Sequence, residues 1–361
     1  MRGSWKSLPG VAAWLVVILC LPGVVRAQSR DSSSVRKRVA PHPPSPPPPS
    51  PDSAVHLVAA SRLPGRTFRD SFSLVATIRK GLRHPAWQGA APDPPPAPGA
   101  ILPQRRIIAF YGNPLSAKMG ILGEIPPPQM LARLDEIVRE WNAADSSMPA
   151  LPALHLIAVT AQGKPGRDGM HRLRMDSTLI RKVYAWAQEH HAILILDIQA
   201  GHSTIQQELP RLLPWLAQPD IHLAIDPEFY MHYGRTGKTP GSRVGVLDAS
   251  DVNYAIEEVA KLVTQYHLPP KVLIVHRFTK GMLQNAARIR LDPRVQVVIN
   301  MDGWGQPWLK FDTYATCEVA EPVQFTGFKL FFHHDTRQGD ALLTPRELLA
   351  LRPRPVYIQY Q

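Results

Sequence analysis

From Arg106 onward, short runs of Val, Ile, Leu and Ala alternate with longer segments whose apolar residues recur at helical spacing. Short apolar runs bounded by turn residues fit buried strands, and apolar positions three and four apart fit helices with one buried face. Strands are expected at RIIAFYG, ALHLIAVTA, AILILDIQA, IHLAIDPEF, KVLIVHRF, VQVVINMDG, FKLFFHHD and PVYIQY. Helices are expected at MLARLDEIVREWNAA, TLIRKVYAWAQEHH, TIQQELPRLLPWLAQ and DVNYAIEEVAKLVTQYH, with shorter helical pieces at 281–290, 309–319 and 344–351. Eight such units over roughly 250 residues predict an α/β fold, a single closed (β/α)8 barrel of the TIM type. An open doubly wound sheet is the competing architecture, but no GxGxxG or GxxxxGK[ST] follows the first strand.

The pattern changes ahead of the barrel. Arg2 and Lys6 precede VAAWLVVILCL, a run too short for a membrane span of ~20 residues, and Val25, Arg26 and Ala27 form an acceptable cleavage site. Residues 1–27 therefore read as a signal peptide, and the protein is expected to be secreted or held in the periplasm or cell envelope. Residues 28–104 contain APHPPSPPPPSP and PDPPPAPGA, which favour extended polyproline conformations, so this stretch reads as a largely disordered linker. The catalytic barrel is expected over 105–361. With the signal removed only Cys317 remains, which excludes an intramolecular disulfide and leaves stability to the core. Its setting in TYATCEVAEP suits a buried structural thiol.

Charge divides along the same boundary. Of the formal net charge of +12, +10 falls on residues 1–105 and +2 on residues 106–361. A nucleic-acid-binding domain carries its positive footprint on the folded surface, so nucleic acid is not expected as a partner. The basic leader is either a solvated spacer or an electrostatic contact to an anionic envelope polymer or membrane surface. Nothing in the sequence sets the oligomeric state.

The chemistry-bearing residues gather at strand ends. Asp226 and Glu228 close the fourth run at i and i+2, which on a strand places both carboxylates on one face. Tyr111 ends the first run, Asp197 and Gln199 the third, His276 the fifth, Asn300 and Asp302 the sixth, His333, His334 and Asp335 the seventh, and Gln359 the eighth. The C-terminal ends of barrel strands are where such folds hold their active sites. Long Gly-rich loops follow strands one, two and four, and Tyr111, Tyr230, Tyr233, Trp304 and Trp308 place aromatic rings on the same face. An exposed indole beside carboxylates suits the apolar face of a sugar ring.

An Asp-x-Glu pair ending strand four, with Met301 and Asp302 in INMDGWG on strand six, resembles the chitinase-like glycoside hydrolase family 18. The family's longer acidic pattern is not kept, since Ile221 and Ala224 stand at its other positions. The resemblance implies a glycan-cleaving barrel in which Glu228 is the general acid and Asp226 raises its pKa or orients a substrate amide. Asp302 and Asp197 are then candidates for nucleophile or base. Tyr111, Gln199, Tyr230, His276, Asn300, Trp304, His333 and Gln359 are candidates for positioning substrate. No cofactor or metal is expected. A metal-dependent hydrolase on the same barrel stays open, because Asp197, Asp226, Glu228, His276, Asp302, His333, His334 and Asp335 include suitable oxygen and imidazole donors. So does a barrel that binds glycan without cleaving it.

Overall fold

The computed structural model describes residues 94–232 and 237–361. The expected signal peptide, nearly all of the expected linker, and Tyr233 lie outside the described residues. Eight parallel strands form the barrel: β1 (Arg106–Gly112), β2 (Ala150–Ala161), β3 (Ile193–Ile198), β4 (Ile221–Ile225), β5 (Lys271–Arg277), β6 (Val295–Met301), β7 (Phe325–Leu330) and β8 (Tyr357–Tyr360). Each pairs with its sequence neighbour, and β1 pairs with both β2 and β8, so the sheet closes on itself. Closure brings Ile107 opposite Leu151 on one side and Tyr357 on the other.

Alternation along each strand divides the apolar residues into two sets. Inward positions such as Ile107, Leu151, Ile195, Val272 and Val298 pack into a small interior cluster. Outward positions such as Ile108, Leu154, Leu194 and Leu273 join a larger shell with the helices. Strands covered on both faces read as nearly continuous hydrophobic runs, which is why the eight runs were legible. Gly327 faces inward on β7: a Cβ there would lie 2.6 Å from Asn300 Oδ1 and 2.9 Å from the Tyr357 ring, so the missing side chain leaves room for both.

The long helices are α1 (Pro127–Ala144), α2 (Ser177–Glu189) and α3 (Ala249–Tyr266), followed by the shorter α4 (Pro307–Tyr314) and α5 (Pro345–Leu349). Asp176 caps α2 by accepting from Leu179 N at 2.8 Å, and Asp248 caps α3 by accepting from Ser250 N at 2.9 Å. Thr344 and Glu347 form a reciprocal capping box on α5. The helix expected at 204–218 is broken into pieces at Ile205–Glu208, Leu209–Arg211 and Leu213–Leu216. Pro210 and Pro214 remove the backbone donors that a continuous helix needs. The piece expected at 281–290 reduces to 3-10 turns at Lys280–Met282 and Ala286–Arg288, while the one at 309–319 becomes α4 and a π turn at Ala315–Val319.

The barrel floor is closed from the linker side of the expected boundary. Leu102 is fully buried in the interior cluster. Gln296, also buried, accepts from Ile101 N at 3.0 Å and Leu102 N at 3.1 Å and donates to Leu102 O at 2.6 Å. An inward Gln on β6 thus satisfies the backbone of a plug that a Pro-rich segment could not pair by itself.

Candidate active site

The polar residues that close the apolar runs converge above the interior cluster. Tyr111 donates its hydroxyl to Asp197 Oδ2 at 3.2 Å, while Gln199 Nε2 donates to Tyr111 Oη at 3.2 Å and to Asp226 Oδ2 at 3.1 Å. His276 Nδ1 lies 2.9 Å from Asp302 Oδ2, and Lys329 Nζ lies 2.8 Å from Asp302 Oδ1. The Lys329 ammonium also sits 4.0 Å from the centre of the Tyr111 ring. Four strands and the turn after β4 therefore share one hydrogen-bonded and ionic network.

Asp226 and Glu228 do not lie on one strand face as their spacing predicts. β4 ends at Ile225, and Pro227–Phe229 form a 3-10 turn. Pro227 fixes φ and cannot donate to a ladder, so the strand stops ahead of it. Asp226 caps the turn by accepting from Glu228 N at 2.9 Å. The loop's return segment clamps the turn from outside, with Gly245 N donating to Glu228 O at 2.6 Å and Val246 N to Tyr230 O at 3.0 Å. A Cβ on Gly245 would fall 2.2 Å from Pro227 O and 2.5 Å from Tyr230 N, a distance backbone atoms cannot accept. Gly245→Ala is expected to push this turn outward and misplace both carboxyls. Misplacement by about 1 Å can cost a catalytic site roughly a hundredfold in rate, so any turnover at this mouth should fall well before melting shows loss of the barrel.

The carboxyl groups are driven in opposite directions. Burial pushes Glu228 up to about 8, and the neighbouring Asp226 and Asp302 carboxylates add to it. Burial also pushes Asp226 up, to about 7, with Asp197 and Asp302 raising it and His276 opposing. Burial would raise Asp302 too, but the Lys329 ammonium and His276 overcome it and hold it at about 2. Glu228 retains some accessible surface at the lip, whereas Asp226 and Asp302 are almost enclosed.

Asp197 lies deeper than its sequence assignment supposes. It has no exposed surface and is surrounded by Tyr111, His155 and His276, whose rings pack within 5.0 to 5.9 Å of one another. Its carboxyl is held below the usual range: burial opposes this, and the adjacent His155 and His276 imidazoles outweigh it. Gln359 and Asn300 are also fully buried. Gln359 Nε2 lies 2.9 Å from His155 Nδ1 and 2.9 Å from Tyr357 Oη, so it orients His155 beneath the mouth. Asn300 Nδ2 donates to Gln359 Oε1 at 3.4 Å.

The residues expected on strand seven are displaced. β7 begins at Phe325 and ends at Leu330, so His333, His334 and Asp335 fall in the following turn. His333 is exposed and its Nε2 lies 2.6 Å from Glu124 on the β1 loop. Asp335 is buried and accepts from Gly305 N at 2.9 Å, Phe331 N at 2.9 Å and Lys310 Nζ at 3.0 Å, tying the β6 and β7 loops together. Trp304 stands on that tied loop, 54% exposed and with its ring 5.7 Å from His334. Tyr230 is buried and stacks on His232. Trp308 donates to Gln306 Oε1 at 3.0 Å, which gives its indole a local structural partner.

His155, Lys329, Tyr357 and Gly245 were not singled out from the sequence. His155 was detectable as the one imidazole within the apolar run ALHLIAVTA. Lys329 was hidden because the run was extended into FFHHD, which placed the strand end several residues too late.

His155, Asp197 and His276 bring three ligand atoms within 4.8 Å of one another. Both imidazole Nε2 atoms face Asp197 Oδ2, at 3.7 and 3.8 Å, and neither has a hydrogen-bond partner. A divalent cation here would share the enclosure with the Lys329 ammonium, which already acts on Asp197 and His155.

No protein-family model matches the chain, and no curated protein matches it. Among solved structures, a ruminal GH26 endo-beta-1,4-mannanase aligns at 11% identity with a TM-score of 0.35, over 76% of this chain and 64% of its own. The 54 kDa signal recognition particle protein from Aeropyrum pernix K1, in complex with GDP, aligns at 13% identity with a TM-score of 0.22, over 82% of this chain and 57% of its own. Likenesses this distant leave the function to the geometry of the site.

Proposed function

We propose that the barrel is a glycoside hydrolase whose general acid is Glu228. One observation carries the reading: at one mouth Asp302 is held ionised by direct contact with Lys329 Nζ at 2.8 Å and His276 Nδ1 at 2.9 Å, whereas Glu228 stands at the partly accessible lip, where burial and the adjacent Asp226 push its pKa up. Pairs of titratable groups forced apart in this way are how one site supplies both an acid and an anion. Glycosidic oxygen leaves poorly unless it is protonated as the bond breaks, and a carboxyl titrating near 8 still carries that proton at pH 7.

Asp302 supplies the fixed negative charge that favours a cationic anomeric centre. Its two oxygens are engaged by Lys329 and His276, which hold it ionised and stationary. Asp226, held by Gln199 and by Glu228 N, keeps an electron-rich group beside the acid and sustains its high pKa. Trp304, exposed on the tied loop, is the residue placed to touch substrate, and the buried Gln199 holds Tyr111 and Asp226 in position. Asp197, His155, Asn300 and Gln359 lie below and act through the groups above them. Export to the cell envelope agrees with a glycan substrate and remains part of the proposal.

A metal-dependent hydrolase is the second reading, and the His155, Asp197, His276 grouping favours it. The first reading predicts that a strong chelator leaves activity and Tm unchanged, with no stoichiometric metal by elemental analysis. Near-equimolar zinc or manganese, with activity lost on chelation and restored on adding the metal back, would select the second.

A further inference from the structure

The mouth carries a second electrostatic pattern, on its rim. Lys118 on the β1 loop, Lys164 and Arg167 on the β2 loop, Lys238 and Arg243 on the β4 loop and Arg337 on the β7 loop are all exposed. In a parallel barrel the loops that follow the strands share one face, so all six lie on the face that holds the site. Among the described residues none of the six forms an ion pair. On the same loops Asp168 is paired with Arg172 and Asp335 with Lys310, while Glu124 lies against His333 and Asp340 accepts from the Gln306 amide. Asp176 and Asp248 cap α2 and α3. The loops of this face therefore carry six exposed cations outside any ion pair among the described residues, although residues 106–361 carry only +2 overall.

Apolar side chains interrupt this ring. Leu115 on the β1 loop is 70% exposed, Leu173 on the β2 loop 53% and Trp304 on the β6 loop 54%. Cations spaced among apolar contacts suit a chain with anionic groups projecting from rings that also have apolar faces. The central carboxyls demand the opposite of the ring being cleaved, since an anionic group pressed against Asp302 and Asp226 would be repelled.

We propose that the substrate is an anionic polysaccharide, bearing carboxylate or phosphate groups on sugars that flank the cleaved unit and are held by the rim cations. This rests on the glycan-cleaving reading for its choice of ligand. Electrostatic attraction at a cleft raises local ligand concentration and is weakened by salt.

The test uses full-length protein carrying Glu228→Gln, so that bound glycan stays uncleaved. Dissociation constants are measured for a polyuronate, a phosphodiester-linked glycan, a neutral β-glucan of similar length and DNA. A rim variant, Lys118→Glu/Arg167→Glu/Arg243→Glu, is compared with Arg139→Glu/Arg181→Glu/Arg354→Glu, which makes the same charge change away from the mouth and leaves the basic leader intact. The expected result is roughly tenfold or greater weakening of one anionic glycan by the rim variant, a small effect of the other variant, and a shallower salt dependence. Whether the polyuronate or the phosphodiester glycan responds identifies the anion. A parallel rim series with Gln in place of Glu guards against misfolding from charge reversal. Equal loss in both charge variants, or DNA held as tightly as either glycan, overturns the inference and shows a general polyanion effect. Unchanged anionic binding in the rim variant overturns it while leaving Glu228 as acid. Rim-dependent binding without cleavage of any glycan by the unsubstituted protein defeats the hydrolase reading alone.

Discussion

Glu228→Gln is expected to lower cleavage of a glycan with a poor leaving group by roughly 100-fold or more, the usual contribution of a general acid. The amide keeps nearly the same volume but has no proton to give to the departing oxygen. An activated aryl glycoside needs little protonation, so its cleavage should fall much less, and that contrast separates an acid from a residue that merely holds the site. In the unsubstituted protein, activity should decline as pH rises through about 8, because ionisation of Glu228 removes the proton that catalysis uses. Asp226→Asn removes a neighbouring anion and should move that alkaline limb to lower pH. Stability provides the control. Folding disfavours an ionised Glu228, so above its ordinary pKa the Gln variant should melt at or above the parent temperature. Equal loss on both substrate types, or full activity of Glu228→Gln on the natural glycan, would remove Glu228 from the role.

Lys329→Met carries the largest expected cost in stability, about 3–5 kcal/mol at neutral pH, because it deprives a buried carboxylate of its ammonium partner. Lys329 and Asp302 are nearly enclosed, with side-chain exposures of 4% and 5%. The sign of the pH dependence follows from Asp302, whose pKa is depressed to about 2 in the folded protein. A depressed carboxyl pKa contributes stability that is complete above the unfolded value near 4 and is lost as pH falls towards 2. The gap between parent and Lys329→Met should therefore be widest above pH 4 and should narrow on acidification, as Asp302 protonates and no longer needs a cation. Thermal melts at pH 3 and pH 7 check this. A pH-independent gap would mean that Lys329 stabilises by packing on Tyr111 and Phe331 rather than through Asp302.

The eight strands and the three long helices were legible because their signals are local. A strand covered on both faces announces itself by continuous Val, Ile and Leu, and an outer helix by its apolar stripe, whatever the rest of the chain does. Closed topology followed from their number and order, and with it the face on which Tyr111, Gln199, Asp226, Glu228, His276 and Asp302 assemble. Residue identity also determined that Asp226 and Glu228 would lie close together, since two positions in a chain cannot separate far.

Tertiary structure decided the rest. The Asp226–Pro227–Glu228 turn depends on Gly245, far along the chain, admitting a backbone within van der Waals distance. Placement of Lys329 beside Asp302 depends on where β7 ends, and an apolar run continuing into Phe331 and Phe332 hides that boundary. The split between a protonated Glu228 and an ionised Asp302 is not a property of either residue. It comes from burial, which raises every carboxyl in the mouth, and from Lys329 and His276, which the closed barrel sets in direct contact with Asp302 and which act only weakly on Glu228. A sequence lists these charges, but their interaction depends on distance and burial, which the fold alone sets.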